Sequence, residues 1–221
     1  MEIKGKEINV TAILGKGLVG AIPIVGPLIA EIVGELIANQ RLERIESLLT
    51  LIESKIASLD TEGLLENLRS EENIDLFEDA CHGAARALTQ ERREYIASLF
   101  VNTTTNDQLD YVEAKRLFSL LSELNDAELI ILKHQSLRRV GDEWHVFKEQ
   151  HKNVLMKNEI YALPKQERID KEAIYASHFS HLVASGLLKH NFQRVKGLPE
   201  IDPKTGMQRS KGFVITALGM L

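Results

Sequence analysis

Lys171-Glu-Ala-Ile-Tyr-Ala-Ser-His-Phe-Ser-His-Leu-Val-Ala-Ser-Gly186-Leu-Leu-Lys-His-Asn-Phe192 contains a helix, a stop signal and a strand in one run. Ile174, Tyr175, His178, Phe179, Leu182 and Val183 share one face at helical spacing, which predicts a helix from Lys171 to Ser185. Gly186 supplies the left-handed residue that commonly ends a helix. Leu187 to Phe192 then predicts a strand. A loop holding Pro199, Pro203 and Gly206 follows, and Gly212 to Thr216 predicts a returning strand. Thr216 is placed to cap a short last helix, Ala217 to Leu221. That ending stops within a first helical turn, so the sequence is expected to be cut short there.

Working upstream, Asn125-Asp126-Ala127-Glu128 has the form of a capping box, with a helix from Leu129 to Leu137 behind it. Residues 142–153 predict a more polar helix with Trp144, His145, Phe147 and His151. Helix, spacer, helix, strand, loop and strand is the order of a winged helix-turn-helix. Residues 126–221 are therefore expected to form a winged-helix-like α+β domain. The outward side of its 171–185 helix should carry Glu172, Ala176, Ser177, Ser180, His181 and Ala184, with positive charge only at Lys171 and nearby Arg168. Duplex DNA is held largely through Lys and Arg contacts to phosphate. The hairpin is better equipped, and Lys204, Arg209 and Lys211 are the candidate nucleic-acid-binding residues. A protein partner for the winged helix ranks ahead of DNA.

The first 125 residues read differently. No stretch there alternates with a period of two, and the expectation is a helical domain over 1–125. From Gly17 to Ala30 no residue is charged. Pro23 and Pro27 break that run, which is shorter than the roughly 20 apolar residues needed to span a bilayer. It lacks a small-x-small cleavage site, so it is not read as a signal peptide. Its small residues let backbones approach closely, either within a core or interface or in a hairpin that enters membranes conditionally. Leu18, Val19, Ile22, Ile24, Val25, Leu28 and Ile29 are the candidate self-association or membrane residues.

Past Pro27, apolar steps of three and four run through Ile32, Leu36, Ile45, Leu48, Ile52 and Ile56, predicting one long amphipathic helix. A helix from Glu72 to Leu88 and another from Gln90 to Phe100, capped by Thr89, follow. Asn102 to Asp107 is read as a loop of cap-forming residues. A further helix is expected to start at Asn106 or Asp107 and to carry Tyr111, Ala114, Leu117, Phe118, Leu121 and Leu124. The fold class is thus mainly α: an N-terminal helical bundle followed by a winged-helix-like α+β domain.

Charge divides the chain in the same place. Residues 1–125 carry 12 Lys/Arg against 21 Asp/Glu, whereas 126–221 carry 15 against 11. A small basic surplus is well short of a dedicated nucleic-acid binder. The single cysteine, Cys81, rules out an internal disulfide, and its acidic neighbours Glu78 and Asp79 argue against a reactive thiolate.

No phosphate-binding loop, nucleophile elbow or His-Glu-x-x-His motif is present. His178 and His181 are three apart, but by helical period His178 should face inward and His181 away from it. Glu71, Glu72, Asp75, Glu78 and Asp79 form an acidic helix face, with Arg86, Arg92 and Arg93 available to pair across the turn at Thr89. These patterns predict no metal site, no cofactor and no enzyme active site.

Ala84-Ala-Arg-Ala-Leu-Thr-Gln-Glu-Arg-Arg-Glu-Tyr-Ile-Ala97, Leu117-Phe-Ser-Leu-Leu-Ser-Glu-Leu-Asn-Asp126, Leu182-Val-Ala-Ser-Gly-Leu-Leu188 and Val214-Ile-Thr-Ala-Leu-Gly219 together resemble uncharacterised bacterial helical proteins of the abortive-infection Abi-alpha type, over residues 70–221. The resemblance implies a role in bacterial defence against phage and carries over no catalytic residues. The expectation is a non-enzymatic, self-associating homo-oligomer, cytoplasmic and peripheral at the inner membrane, acting as a defence effector. A DNA-binding winged-helix regulator is the alternative.

Overall fold

The computed structural model describes residues 38–57, 68–105, 109–137, 141–155, 164–195, 198–203 and 206–220. The apolar segment 17–30, with its seven candidate residues, lies outside them, as does the first part of the long predicted helix. The protein is mainly helical, with a small antiparallel sheet near its C-terminal end. It divides into two compact units, Met1–Glu123 and Leu124–Leu221.

In the first unit the described helices are α1 (Ala38–Ile56), α2 (Glu71–Arg86), α3 (Gln90–Thr105) and α4 (Tyr111–Glu123). The 3–4 spacing of α1 places Ile45, Leu48, Ile52 and Ile56 on one buried stripe. Against it pack Phe77, Ala80, Cys81 and Ala84 of α2, Ala97 and Phe100 of α3, and Ala114 and Phe118 of α4. Small Ala and Cys side chains let the helices approach, and the rings of Phe77 and Phe100 meet edge to face, 5.6 Å apart. Ser70 caps α2 by accepting from Asn73 N at 3.2 Å, and Thr89 caps α3 by accepting from Arg92 N at 3.3 Å.

Arginine side chains close the opposite helix ends. Arg44 donates to Ala85 O at 2.9 Å and Arg93 to Ala87 O at 3.0 Å, where α2 leaves carbonyls without intrahelical partners. Arg92 does the same for Leu121 O near the end of α4, at 2.9 Å. Arg92 and Arg93, available to pair with the acidic face of α2, donate to these carbonyls.

Two boundaries differ from the sequence reading. The predicted loop at Asn102 is helical through Thr105. Thr103, Thr104 and Thr105 turn their hydroxyls back onto the carbonyls of Phe100 and Val101, at 2.7 to 3.1 Å, so cap-forming residues here satisfy themselves inside a helix. The following helix begins at Tyr111 rather than at Asn106 or Asp107. Asp110 fixes that start through a reciprocal box: its side chain accepts from Glu113 N at 2.8 Å while its own N–H donates to Glu113 Oε2 at 3.1 Å.

In the second unit α5 (Asp126–Ser136), α6 (Asp142–Gln150), α7 (Lys152–Leu155) and α8 (Lys165–Ala184) precede a hairpin of β1 (Leu188–Phe192) and β4 (Ser210–Ile215), and α9 (Ala217–Met220) follows it. Two short strands, β2 (Arg194–Val195) and β3 (Leu198–Pro199), pair antiparallel between them. β1 and β4 pair Leu188 with Ile215, Lys189 with Val214 and His190 with Phe213, then slip at a bulge before Phe192 meets Ser210. Gly186 is left-handed, at φ 77°. Around it Leu187 N donates to Leu182 O and Gly186 N to Val183 O, both at 3.0 Å, a Schellman stop that turns the chain from α8 into β1. Thr216 caps α9 by accepting from Gly219 N at 3.1 Å.

The helix predicted from Lys171 starts six residues earlier, behind Pro164. Lys165-Gln-Glu-Arg carries no apolar period to mark it. Ile174, expected on the inner face, is 59% exposed. α8 meets α5 and β1, and its buried residues, Phe179 and Leu182, lie in its second half. Among the described residues no helix is long and apolar enough to cross a membrane.

Candidate functional site

The C-terminal unit holds a groove of about 870 Å³ between α8 and β4. Tyr175, Ala176, Phe179 and Ser180 form the helix wall, and residues 211–215 the strand wall. Glu172 and Lys211 bring one charge of each sign to its lining, and Gln135 and Asn191 bring amides. The floor is aromatic. Phe179 stacks on Phe213 at 4.7 Å and 28°, while Tyr175 lies 5.1 Å from Phe179. Ala176 and Ser180 are exposed, as expected, and border this groove.

Beside the groove, α5 and α8 are joined through Glu128. Its carboxylate closes the predicted capping box: Glu128 N donates to Asn125 Oδ1 and Asn125 N to Glu128 Oε2, each at 2.9 Å. The second oxygen, Oε1, meets His181 Nδ1 at 2.9 Å and His178 Nδ1 at 3.4 Å. A carboxylate only accepts, so His181 carries its hydrogen on Nδ1. His178 Nδ1 also lies 3.4 Å from the Asn125 amide nitrogen. His181, expected to point away from the buried side, instead turns its Nδ1 to the same buried carboxylate as His178. Both reach one buried oxygen, because Oε1 projects between adjacent turns of α8. Burial alone would raise the Glu128 carboxyl, but the Asn125 N–H and the His181 and His178 imidazoles outweigh it and hold the group below its ordinary value.

A base oriented by a carboxylate is half of a catalytic arrangement. The nearest hydroxyls on the same helix do not complete it. Ser177 donates to Ile174 O at 2.7 Å and Ser180 to Ala176 O at 3.0 Å. Among the described residues no three His, Cys, Asp or Glu side chains are grouped to hold a metal ion.

The remaining predicted positions are dispersed. Arg209 pairs with Glu200 at 2.8 Å, which satisfies its charge within the hairpin. Lys211 is exposed and lines the groove, and Lys204 lies outside the described residues. Cys81 is fully buried, and burial, with the nearby Glu78 charge, pushes its thiol far above the reactive range.

The acidic face of α2 is gathered by a lysine that the sequence reading passed over. Lys115 of α4 contacts Asp75 at 2.8 Å and Asp79 at 2.6 Å, and Tyr111 donates to Asp75 at 2.6 Å. Its hydrogen bonds to Asp75 and Asp79 raise the Lys115 ammonium against the opposing effect of its burial. Because these side chains are about a third exposed, Lys115→Met is expected to cost only about 1 kcal/mol. Urea unfolding of the variant, at low and high salt, measures this, and the difference should shrink as salt rises.

The aromatic groove was the feature least visible beforehand. Tyr175 and Phe179, four apart on a helix, and Phe213 in the returning strand were its signals. What places them together is the β1–β4 register. Comparison with protein-family models, curated proteins and solved structures finds no match to this chain.

Proposed function

We propose that this chain is a non-enzymatic, self-associating protein that works at a membrane surface, with its C-terminal unit serving as a winged-helix-like binding module. The observation that carries the reading is the uncharged run from Gly17 to Ala30, interrupted by Pro23 and Pro27. Such a run is too short and too broken for a permanent span, yet apolar enough to bury against a second copy or a lipid interface. The non-enzymatic part draws support from His181–Glu128, a base and orienter whose neighbouring hydroxyls are committed to backbone carbonyls. The resemblance to Abi-alpha proteins supplies the setting, a bacterial cytoplasm defended against phage, with peripheral contact at the inner membrane.

Regulation of duplex DNA ranks lower. Of its three candidate residues Arg209 is already paired with Glu200, and the groove wall carries Glu172 opposite Lys211.

The test is dye leakage from vesicles of bacterial lipid, with sedimentation to follow self-association. The parent is expected to associate and cause leakage, and Val25→Asp/Ile29→Asp to do neither. Equal leakage from both proteins would remove the segment from the mechanism. Leakage from neither would return it to a core or an interface.

A further inference from the structure

Five rings form a ladder from the core of the C-terminal unit to its surface. Tyr175 and Phe179 are 5.1 Å apart, Phe179 and Phe213 4.7 Å, Phe213 and His190 4.9 Å, and His190 and Phe192 5.5 Å. Phe179 is buried, whereas His190 is exposed and Phe192 is 43% exposed. His190 and Phe192 lie nearly parallel, at 25°, whereas His190 is tilted 42° to Phe213.

Positive charge accompanies the exposed end. Lys211 lines the groove. Arg194 follows Phe192 by two residues. Both are exposed and form no salt bridge among the described residues. Over 188–215 the sequence has six Lys/Arg against two Asp/Glu, although the whole chain is acidic. A purely apolar partner would leave these cations desolvated and unpaired, at a cost. A ligand with successive flat faces and a negative charge at each step satisfies both features.

We propose that this ladder is a stacking platform for a short single-stranded nucleic acid. A base stacks on the exposed ring of Phe192, at the end of the ladder, and the next packs against the exposed side of His190, while the phosphates run along the hairpin side past Arg194 and Lys211. Glu172, on the helix wall, keeps the phosphates to that side. Stacking on ring faces tolerates any base, so the platform is not sequence-specific. Duplex DNA buries its base faces and cannot use it. The inference stands apart from the membrane reading, since it uses no residue before Glu172.

The experiment is fluorescence anisotropy with the full chain and labelled oligothymidylate and oligouridylate of about ten nucleotides, beside a duplex of equal length. Binding to both single strands, weakened by salt, is expected. His190→Ala/Phe192→Ala should lose at least about tenfold in affinity with an unchanged far-ultraviolet dichroism spectrum. Phe192→Trp should retain binding and show quenched indole fluorescence on saturation. Absence of binding to single strands, or binding that the double variant keeps, overturns the proposal. So does tighter binding of the duplex, which would point to groove contacts instead.

Discussion

Phe77→Ala is expected to cost the N-terminal unit about 3–5 kcal/mol. Phe77 is fully buried between α1, α3 and α4. Its truncation removes a ring's transfer free energy and leaves a void lined by groups that cannot all collapse into it. The edge-to-face contact with Phe100 is lost as well, about 0.5–1.5 kcal/mol by itself. The alanines and Cys81 around it on α2 offer few long side chains to swing into the space. Urea unfolding followed by far-ultraviolet dichroism measures the effect, as a lower midpoint at unchanged slope. Phe77→Leu, which keeps most of the volume, should cost clearly less. Equal costs for the two variants would show that the ring is not packed as described.

Glu128→Ala is expected to cost the C-terminal unit about 2–3 kcal/mol. It removes the reciprocal half of the capping box, about 1 kcal/mol, and leaves the His181 Nδ1–H of α8 without its acceptor. His181 is 39% exposed, and water compensates it in part, which keeps the figure at the low end for a buried carboxylate. The fluorescence of Trp144, the single tryptophan, lies in this unit and reports its unfolding.

The same residue predicts a pH dependence. The folded Glu128 carboxyl sits below its ordinary value, so the folded state favours the ionised form. Its contribution to stability is therefore complete above about pH 5 and is lost as pH falls through the lowered folded value. Glu128→Gln keeps a side chain suited to a capping box but cannot ionise. The stability gap between parent and Glu128→Gln should thus narrow on acidification below about pH 5. A gap that is constant from neutral pH to pH 3, by about the same measurement, would mean the carboxylate is not held in its charged form.

Helix capping and helix period were legible from local residues. Asn125 with Glu128, Thr89, Gly186 and Thr216 all act where their chemistry predicts. Each works through backbone groups within a few positions, so no distant contact is needed to define it. The buried stripe Ile45, Leu48, Ile52 and Ile56 followed from spacing for a similar reason: any partner must meet the one apolar face available. Asn102 to Thr105 was misread because threonine hydroxyls can bond either outside a helix as caps or back inside it, and packing against α1 and α2 decides between them.

What tertiary structure alone decided are the long-range pairings. Lys115 reaches two carboxylates 36 and 40 residues away in the chain. His178 and His181 converge on Glu128, 50 and 53 positions earlier. Helical period places the two histidines on adjacent turns, but only the crossing of α5 over α8 puts one oxygen between them. The aromatic ladder likewise depends on the register of β1 against β4, because a one-residue slip would turn Phe213 to the opposite face of the hairpin. Amino-acid order sets local backbone preferences and the identity of apolar faces. Which faces meet, and at what register, is a property of the packed chain.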